Sequence, residues 1–362
     1  MRPQRRGQSF GKTLLATTLF FLAIASCSQP GPAIMPQDTA RASLPSSGQV
    51  QTIRMARADW DTSWFEAEIF RQLLQGLGYT VAEPKTMNDT AFWDAVSRNE
   101  VDFWPSGWFP NSDKKLAQVQ HRVAVVGHVV RAGALQGYLV DKKTSDQYGI
   151  TDLQKLKQPE IAKLFDTDSD GNADLTGCNP DWTCREVIEH QLKAYGLGAT
   201  VKQVQGDYNS LMARAIARFR EDKPILFYTW TPNWTVGKLV PGKDVVWLEV
   251  PFPSLPAEQK DKERLTKVSG VKGCVDDPCE MGWPPNDIRV VANKEFLEKN
   301  PKIKRLFELI EIPLQDISDQ NARMFERENN QEDLHRNARE WIARHKNEVD
   351  RWLRDARGAN HR

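Results

Sequence analysis

The sequence predicts an α/β protein of two lobes, each built on a mixed, mostly parallel sheet with flanking helices. Strand and helix patterns follow one another in β-α-β-α-β order over residues 52–104, the order of a parallel sheet covered by helices. They alternate again over residues 201–248. The chain has 362 residues, 40% of them hydrophobic, so it is long enough to form two cores.

The first lobe is expected to begin at Thr52. Period-2 and helical patterns predict strands at residues 52–58, 79–81 and 101–104 and helices at 64–77 and 89–98. Trp60 then follows the first strand, and Trp108 follows the strand that ends at Trp104. Open α/β sheets bind ligands beyond the carboxyl ends of their strands, so two indoles at this edge indicate a binding site. Simple packing of these indoles is the alternative.

The second lobe is assigned to residues 135–249. Strand patterns at 123–130 and 136–140 predict that the chain crosses from the first lobe, which ends at residue 134. Further patterns predict helices at 151–156, 159–164, 185–195 and 209–220 and strands at 201–204, 224–228 and 245–248. Trp230 follows the strand at 224–228, so a third tryptophan is predicted at the end of a strand.

The proline-rich run V-P-F-P-S-L-P, residues 250–256, predicts the return to the first lobe, which then also includes residues 250–362. A strand over 288–292 is expected to rejoin the first sheet. Helices are predicted over 293–310 and 334–353, the latter with an apolar stripe that packs on the body.

The composition favours cation binding over several other functions. Lys and Arg number 49 against 48 Asp and Glu, and this balance, without a basic patch, argues against nucleic-acid binding. Tryptophan, at 12 residues, outnumbers tyrosine, at 6, and indole faces attract cations. None of the six histidines stands in a catalytic motif and no motif indicates a cofactor, so a binding protein is favoured over an enzyme.

The first 51 residues predict export. Basic residues precede the apolar segment 14–25, as in a secretory signal peptide, here residues 1–26. Ile24–Cys27 resembles the bacterial lipobox, which predicts a lipidated Cys27 and a membrane-anchored lipoprotein on the periplasmic or cell-surface side. An ordinary signal peptide is the alternative. Residues 27–51 are rich in Pro, Ser, Gln and Ala, so we expect a flexible tether.

Four further cysteines lie in two close pairs, Cys178 with Cys184 and Cys274 with Cys279. Disulfides within each pair are expected in an exported protein, although four cysteines allow three connectivities. A zinc site is the alternative, but the spacings C-x5-C and C-x4-C fit it poorly. Trp182 lies in the first loop, just before a predicted helix whose N-terminus attracts anions. Such a site suits a ligand with both a cation and a carboxylate, and a core tryptophan in a disulfide turn is the alternative.

Half of a calcium-loop pattern precedes this loop. It comprises Asp166, Asp168, Asp170 and Asp174, but the twelfth position is Gly177, where an EF-hand requires a bidentate glutamate. A solvated turn is therefore predicted, and a structural metal is the weaker alternative.

Four long motifs carry a resemblance to a known family. They are Q-G-Y-L-V-D-K-K from residue 136, I-A-K-L-F-D-T-D-S-D-G-N-A-D-L-T-G-C-N-P-D-W-T-C from 161, F-Y-T-W-T-P-N-W from 227 and P-G-K-D-V-V-W-L-E-V-P-F from 241. In this order they closely resemble the ProX family of glycine betaine/proline betaine-binding proteins of ABC transporters. The resemblance covers most of residues 52–350.

The resemblance implies a type II periplasmic-binding-protein fold, with two lobes joined by a two-strand hinge. It implies a quaternary-ammonium cage of Trp108, Trp182 and Trp230, and carboxylate binding by the backbone N–H groups of Thr183 and Cys184. The family's histidine is replaced by Ser112, whose hydroxyl brings no positive charge. The segment 273–282, with its cysteine pair, does not match the family pattern.

The implied function is the capture of glycine betaine or proline betaine and its delivery, for osmoprotection, to a permease and ATPase complex. We expect the protein to act as a monomer without a cofactor. A binding module for choline or carnitine, or a betaine sensor outside transport, is the alternative.

Overall fold

The computed structural model describes residues 52–359. The predicted signal peptide 1–26, Cys27 and the tether 27–51 lie outside this range. Within it, no helix is long and apolar enough to cross a membrane.

The first half of the molecule begins with residues 52–134, which form four strands and the helices that pack against them. Its elements are β1 (Ala56–Ala58), α1 (Thr62–Gly76), β2 (Lys85–Met87), α2 (Asp89–Ser97), β3 (Phe103–Phe109), α3 (Asp113–Val119) and β4 (Val123–Ala134). Helix α2 begins where it does because the Asn88 side chain accepts a hydrogen bond from the Ala91 N–H at 2.8 Å. Strand β1 pairs in parallel with β2.

The second half of the molecule begins at residue 135 and contains a five-stranded sheet in the order β7-β6-β8-β5-β9. Its elements are β5 (Gln136–Asp141), α4 (Lys142–Tyr148), α5 (Pro159–Ala162), β6 (Ala173–Thr176), α6 (Thr183–Ala194), β7 (Val201–Val204), α7 (Tyr208–Arg220), β8 (Leu226–Trp230), α8 (Thr235–Lys238) and β9 (Val245–Leu248). Short 3-10 helices span Leu153–Lys157, Lys163–Phe165 and, after β9, Ala257–Leu265.

The chain then returns to the first half and ends in helices. The remaining elements are β10 (Lys267–Val268), β11 (Cys279–Glu280), β12 (Asn286–Asn293), α9 (Lys294–Lys299), α10 (Pro301–Leu309), α11 (Leu314–Phe325), α12 (Gln331–Arg344) and α13 (Lys346–Arg357). Each helix predicted over 293–310 and 334–353 is in fact a pair, broken at Asn300 before Pro301 and at His345. Helix α11 was not predicted.

Parallel and antiparallel pairing both occur in the molecule, as predicted, but antiparallel pairing is more extensive than expected, and the three-stranded sheet β3-β12-β4 is entirely antiparallel. Strand β12 lies between β3 and β4 and is antiparallel to both, and β5 is antiparallel to β8 and β9. Parallel pairing joins β6 to β7 and to β8. The antiparallel strands β5 and β12 are those that enter a sheet from the other half of the molecule.

The return crossing lies later than the proline-rich run predicts. Leu255, Met281 and Trp283 are buried in the core of the second half, together with the strands of its sheet. The Trp247 N–H donates to the Gly273 carbonyl at 2.9 Å, so this segment extends the second half beside β9. The first sheet resumes only at Asn286, which pairs with Ala134 of β4.

Candidate ligand-binding cleft

A cleft of about 550 Å³, including its opening to solvent, lies between residues of the two halves. Strand β3 of the first half and strand β8 of the second half contribute to its walls. All six residues predicted to contact a ligand line it, namely Trp108, Ser112, Trp182, Thr183, Cys184 and Trp230. The structure therefore brings together indoles that lie far apart in the sequence.

Two of the three predicted cage indoles meet directly. The rings of Trp182 and Trp230 are edge-to-face, with centroids 5.5 Å apart, and Tyr208 packs on Trp230 at 4.5 Å. The positions of Trp108 and Trp230 differ from the prediction, since both lie inside strands and not in the loops after them. Strand β3 extends to Phe109 because it stays paired with β12, where Trp108 lies opposite Ile288.

The loop around Trp182 is closed by a disulfide between Cys178 and Cys184. Inside it, the Trp182 N–H donates to the Asn179 carbonyl at 3.1 Å. The Asn179 side chain in turn accepts from the Tyr208 N–H at 2.9 Å, which attaches the loop to α7. The loop thus holds Trp182 at the start of α6.

The N-terminus of α6 faces the cleft through Thr183 and Cys184. The N–H groups of a helix's first turn have no acceptor within the helix, and no side chain caps α6. Ser112, 7% exposed, lies across the cleft at the start of α3. Its N–H is occupied by the Trp108 carbonyl at 2.7 Å. An anion between these elements would meet N–H donors and a hydroxyl.

Sequence reasoning missed part of the cleft wall, which also includes Asp89, Trp104, Ser106, Gln136 and Tyr228. The Tyr228 hydroxyl donates to Oε1 of Gln136 at 2.7 Å, and the buried Nε2 of Gln136 has no hydrogen-bond partner in the described part of the chain. Both residues lie in strands of mainly apolar residues, a pattern that predicts core positions. No sequence signal distinguished them from the core.

Trp60 also lines the wall, so that with Trp104 and the three predicted cage residues the cleft has five indoles. Its ring centroid lies 5.7 Å from Trp182 and 5.6 Å from Trp104, edge-to-face with both. The position of Trp60 just after β1 predicted that it lies at a binding edge, although it was not among the predicted cage residues.

Two carboxylates beside Trp60 connect the halves. Trp182 Nε1 donates to Asp59 at 3.3 Å, and the Asn209 side chain donates to Asp61 at 3.4 Å. Burial raises the pKa of Asp59 and the pKa of Asp61 to about 6. A third carboxylate, that of Glu66 in α1, is fully buried, and burial raises its pKa to about 8.

The other predicted features lie away from the cleft. Cys274 and Cys279 form a second disulfide, beside β9. In the aspartate loop, Lys202 Nζ lies 2.5 Å from Asp168 and 2.7 Å from Asp170. Asp166 accepts backbone hydrogen bonds from within the loop. Lys202 thus supplies a positive charge in the place that a metal ion would take, and this favours a solvated turn over a metal site.

Known proteins resemble this chain in sequence and in fold. The family model of the substrate-binding domain of ABC-type glycine betaine transport systems, OpuAC, matches residues 51–344. The glycine betaine-binding periplasmic protein OusX of Dickeya dadantii is 42% identical over 87% of this chain and 92% of its own length. The glycine betaine/proline betaine-binding periplasmic protein of Escherichia coli is 40% identical, over 89% and 94% respectively.

Among solved structures, lactococcal OpuAC, closed and complexed with glycine betaine, superposes with a TM-score of 0.62. It covers 84% of this chain and 99% of its own, at 17% identity, which supports the fold alone. Fold and cleft together define a type II periplasmic binding protein. Within that class, the chain belongs to the OpuAC family of substrate-binding domains.

Proposed function

We propose that this protein captures glycine betaine or proline betaine in its cleft and delivers it to the permease of an ABC transporter. The convergence of Trp108, Trp182 and Trp230 beside the N-terminus of α6 carries the proposal. Relatives that are 42% and 40% identical carry the names of betaine-binding periplasmic proteins, which supports the same ligand class.

The three indoles form the cation-binding part of the site. A trimethylammonium group has no N–H to donate, so it gains little from hydrogen-bond acceptors. Indole faces offer cation–π attraction and apolar contact with the methyl groups, and each desolvated face contributes on the order of 2 kcal/mol. Three faces then approach the roughly −8 kcal/mol of a micromolar complex.

The ligand carboxylate is assigned to the N–H groups of Thr183 and Cys184 and to the Ser112 hydroxyl. Charge-assisted hydrogen bonds from a helix N-terminus are strong, so this end of the cleft can bind a carboxylate without a basic side chain. Asn111 and Gln136 add amide groups to the same wall.

The function implies a location and an organisation. Relatives are periplasmic, so the protein is exported, and lipidation of Cys27 would anchor it beside the permease. The lobes comprise residues 52–134 with the return segment, and 135 to the crossing before Asn286. The protein acts as a monomer that binds its ligand without chemical conversion.

Titration of the purified protein with glycine betaine and proline betaine, followed by tryptophan fluorescence, tests the proposal. We expect a saturable change at micromolar ligand and full recovery of unchanged betaine. No response to either compound would overturn the betaine assignment. Recovery of a converted product would overturn the binding-protein assignment.

A further inference from the structure

One charged side chain lines the cleft in the described part of the chain, and that side chain is Asp89. The other lining residues are aromatic, neutral polar or disulfide-bonded. Asp89 is the first residue of α2 and only 8% exposed. A fixed carboxylate in a low-dielectric wall acts strongly on any charge bound in the cleft.

Both oxygens of Asp89 are occupied by donors. Trp93, one turn along α2, donates its Nε1 to Oδ1 at 2.8 Å. The ammonium of Lys115, from α3, bonds to Oδ2. Lys115 does not line the cleft but borders a neighbouring groove. Its ammonium therefore lies on the side of the Asp89 carboxylate that faces away from the cleft.

We propose that the Asp89–Lys115 ion pair sets the preference of the cleft between zwitterionic and purely cationic quaternary ammonium ligands. This inference rests on the proposed function and names a specificity determinant for it. Asp89 attracts the ammonium of either ligand class, but it also repels the carboxylate of a zwitterion. Removal of one charge of the pair therefore changes the binding energy of a cation, which carries a net charge. For a zwitterion, the opposite effects on its ammonium and on its carboxylate largely cancel.

Two single substitutions change the local charge in opposite directions. Asp89→Asn removes the negative charge and keeps an acceptor for Trp93, so choline should bind less well relative to glycine betaine. Lys115→Met removes the positive charge and leaves Asp89 uncompensated, so choline should gain relative to glycine betaine. Each shift should be about tenfold in the ratio of the two Kd values at low ionic strength.

Calorimetric titration of the purified protein and of its variants with choline and with glycine betaine measures this ratio. Both substitutions break the same ion pair, so a merely structural role would move the ratio the same way in both variants. The double variant Asp89→Asn with Lys115→Met restores neutrality and should return the ratio towards that of the wild type. If Asp89→Asn fails to fold, the sign of the shift in Lys115→Met still decides.

Opposite shifts that cancel in the double variant would support the inference. A ratio that is unchanged, or that moves the same way in both single variants, would overturn it while wild-type binding leaves the proposed function intact. A wild-type protein that binds neither glycine betaine nor proline betaine would overturn the proposed function and this inference with it.

Discussion

Trp182 donates its indole N–H to Asp59 across the cleft, at 3.3 Å, and the two residues come from opposite halves of the molecule. Trp60, the residue after Asp59, packs edge-to-face on the same indole. The hydrogen bond between Trp182 and Asp59 forms only while the two halves are close together. A ligand that contacts Trp182 therefore affects the stability of this arrangement. Separation of the halves would expose Asp59 and Asp61 to water.

This contact predicts that ligand binding weakens as the pH rises from about 4 to about 6. Burial, and to a smaller extent the charge of Asp181, raises the pKa of Asp59 from 3.8 to about 6, and burial raises the pKa of Asp61 similarly. The arrangement with the two halves in contact therefore holds more protons than one with the halves apart between these values, so a rising pH favours separation of the halves.

We expect the Kd for glycine betaine to be at least about threefold lower at pH 5 than at pH 7.5, after allowance for solvent screening of the half-exposed Asp59. Titrations across this range measure the effect. The double variant Asp59→Asn with Asp61→Asn should bind with a nearly constant Kd. A constant Kd in the wild type would contradict the assignment.

Trp182→Ala should abolish measurable betaine binding and leave the fold intact. Trp182 contacts both Trp230 and Trp60, so its removal loses one cation–π face and disorders two others. Loss of one face alone would cost about 2 kcal/mol of binding free energy, which raises the Kd about thirtyfold. Calorimetry measures the change, and Trp64→Phe, outside the cleft, is the matched control. Unchanged affinity in Trp182→Ala would remove this residue from the site.

The two disulfides should differ in their effect on binding. Replacement of Cys178 and Cys184 by serine loosens the loop that positions Trp182 and the first N–H groups of α6, so affinity should fall about tenfold, a loss of roughly 1.4 kcal/mol. Replacement of Cys274 and Cys279 by serine is the matched control, because that disulfide lies away from the cleft, and affinity should be retained. Equal effects of the two double variants would show that the first loop has no particular role.

Much of the fold and of the site could be predicted from the sequence. Strand ends and a helix start placed Trp108, Trp182 and Trp230 near a common edge, and the resemblance selected these three as the cage. The same argument placed Trp60 at this edge, but the predicted cage did not include it. The resemblance supplied the proposed roles of Thr183 and Cys184, which would act through backbone groups that carry no side-chain signal.

The remaining features depend on tertiary contacts. Gln136 and Tyr228 lie in apolar strand patterns, and only the pairing of β5 with β8 brings their polar groups together at the cleft. Asp89 looked like an ordinary first residue of a helix, and its position in the wall depends on how α2 packs. The late return to the first half depends on the β10–β11 hairpin, which packs on the second core through Val268 and Cys279 despite its weak local pattern.

Calcium at millimolar concentration should leave the melting temperature unchanged. Lys202 already places a positive charge in the aspartate loop, since its ammonium contacts Asp168, Asp170 and Asp174. Thermal unfolding with and without calcium tests this, and Lys202→Met is the matched variant in which calcium should begin to stabilise the fold. A saturable rise in the wild type would instead establish a metal site.

Glu66 should make the fold less stable as the pH rises from about 4.5 to about 8. The side chain is buried in α1, and burial raises the pKa of Glu66 from 4.5 to about 8, partly offset by its hydrogen bond with Ser106. The unfolded chain ionises first, so the folded state loses stability through this window, by up to about 4 kcal/mol at the upper end. Glu66→Gln has no such proton to lose. We therefore expect urea unfolding to show Glu66→Gln close to the wild type at pH 5 and more stable than it at pH 8.5, whereas parallel pH profiles of the two proteins would show that Glu66 titrates normally.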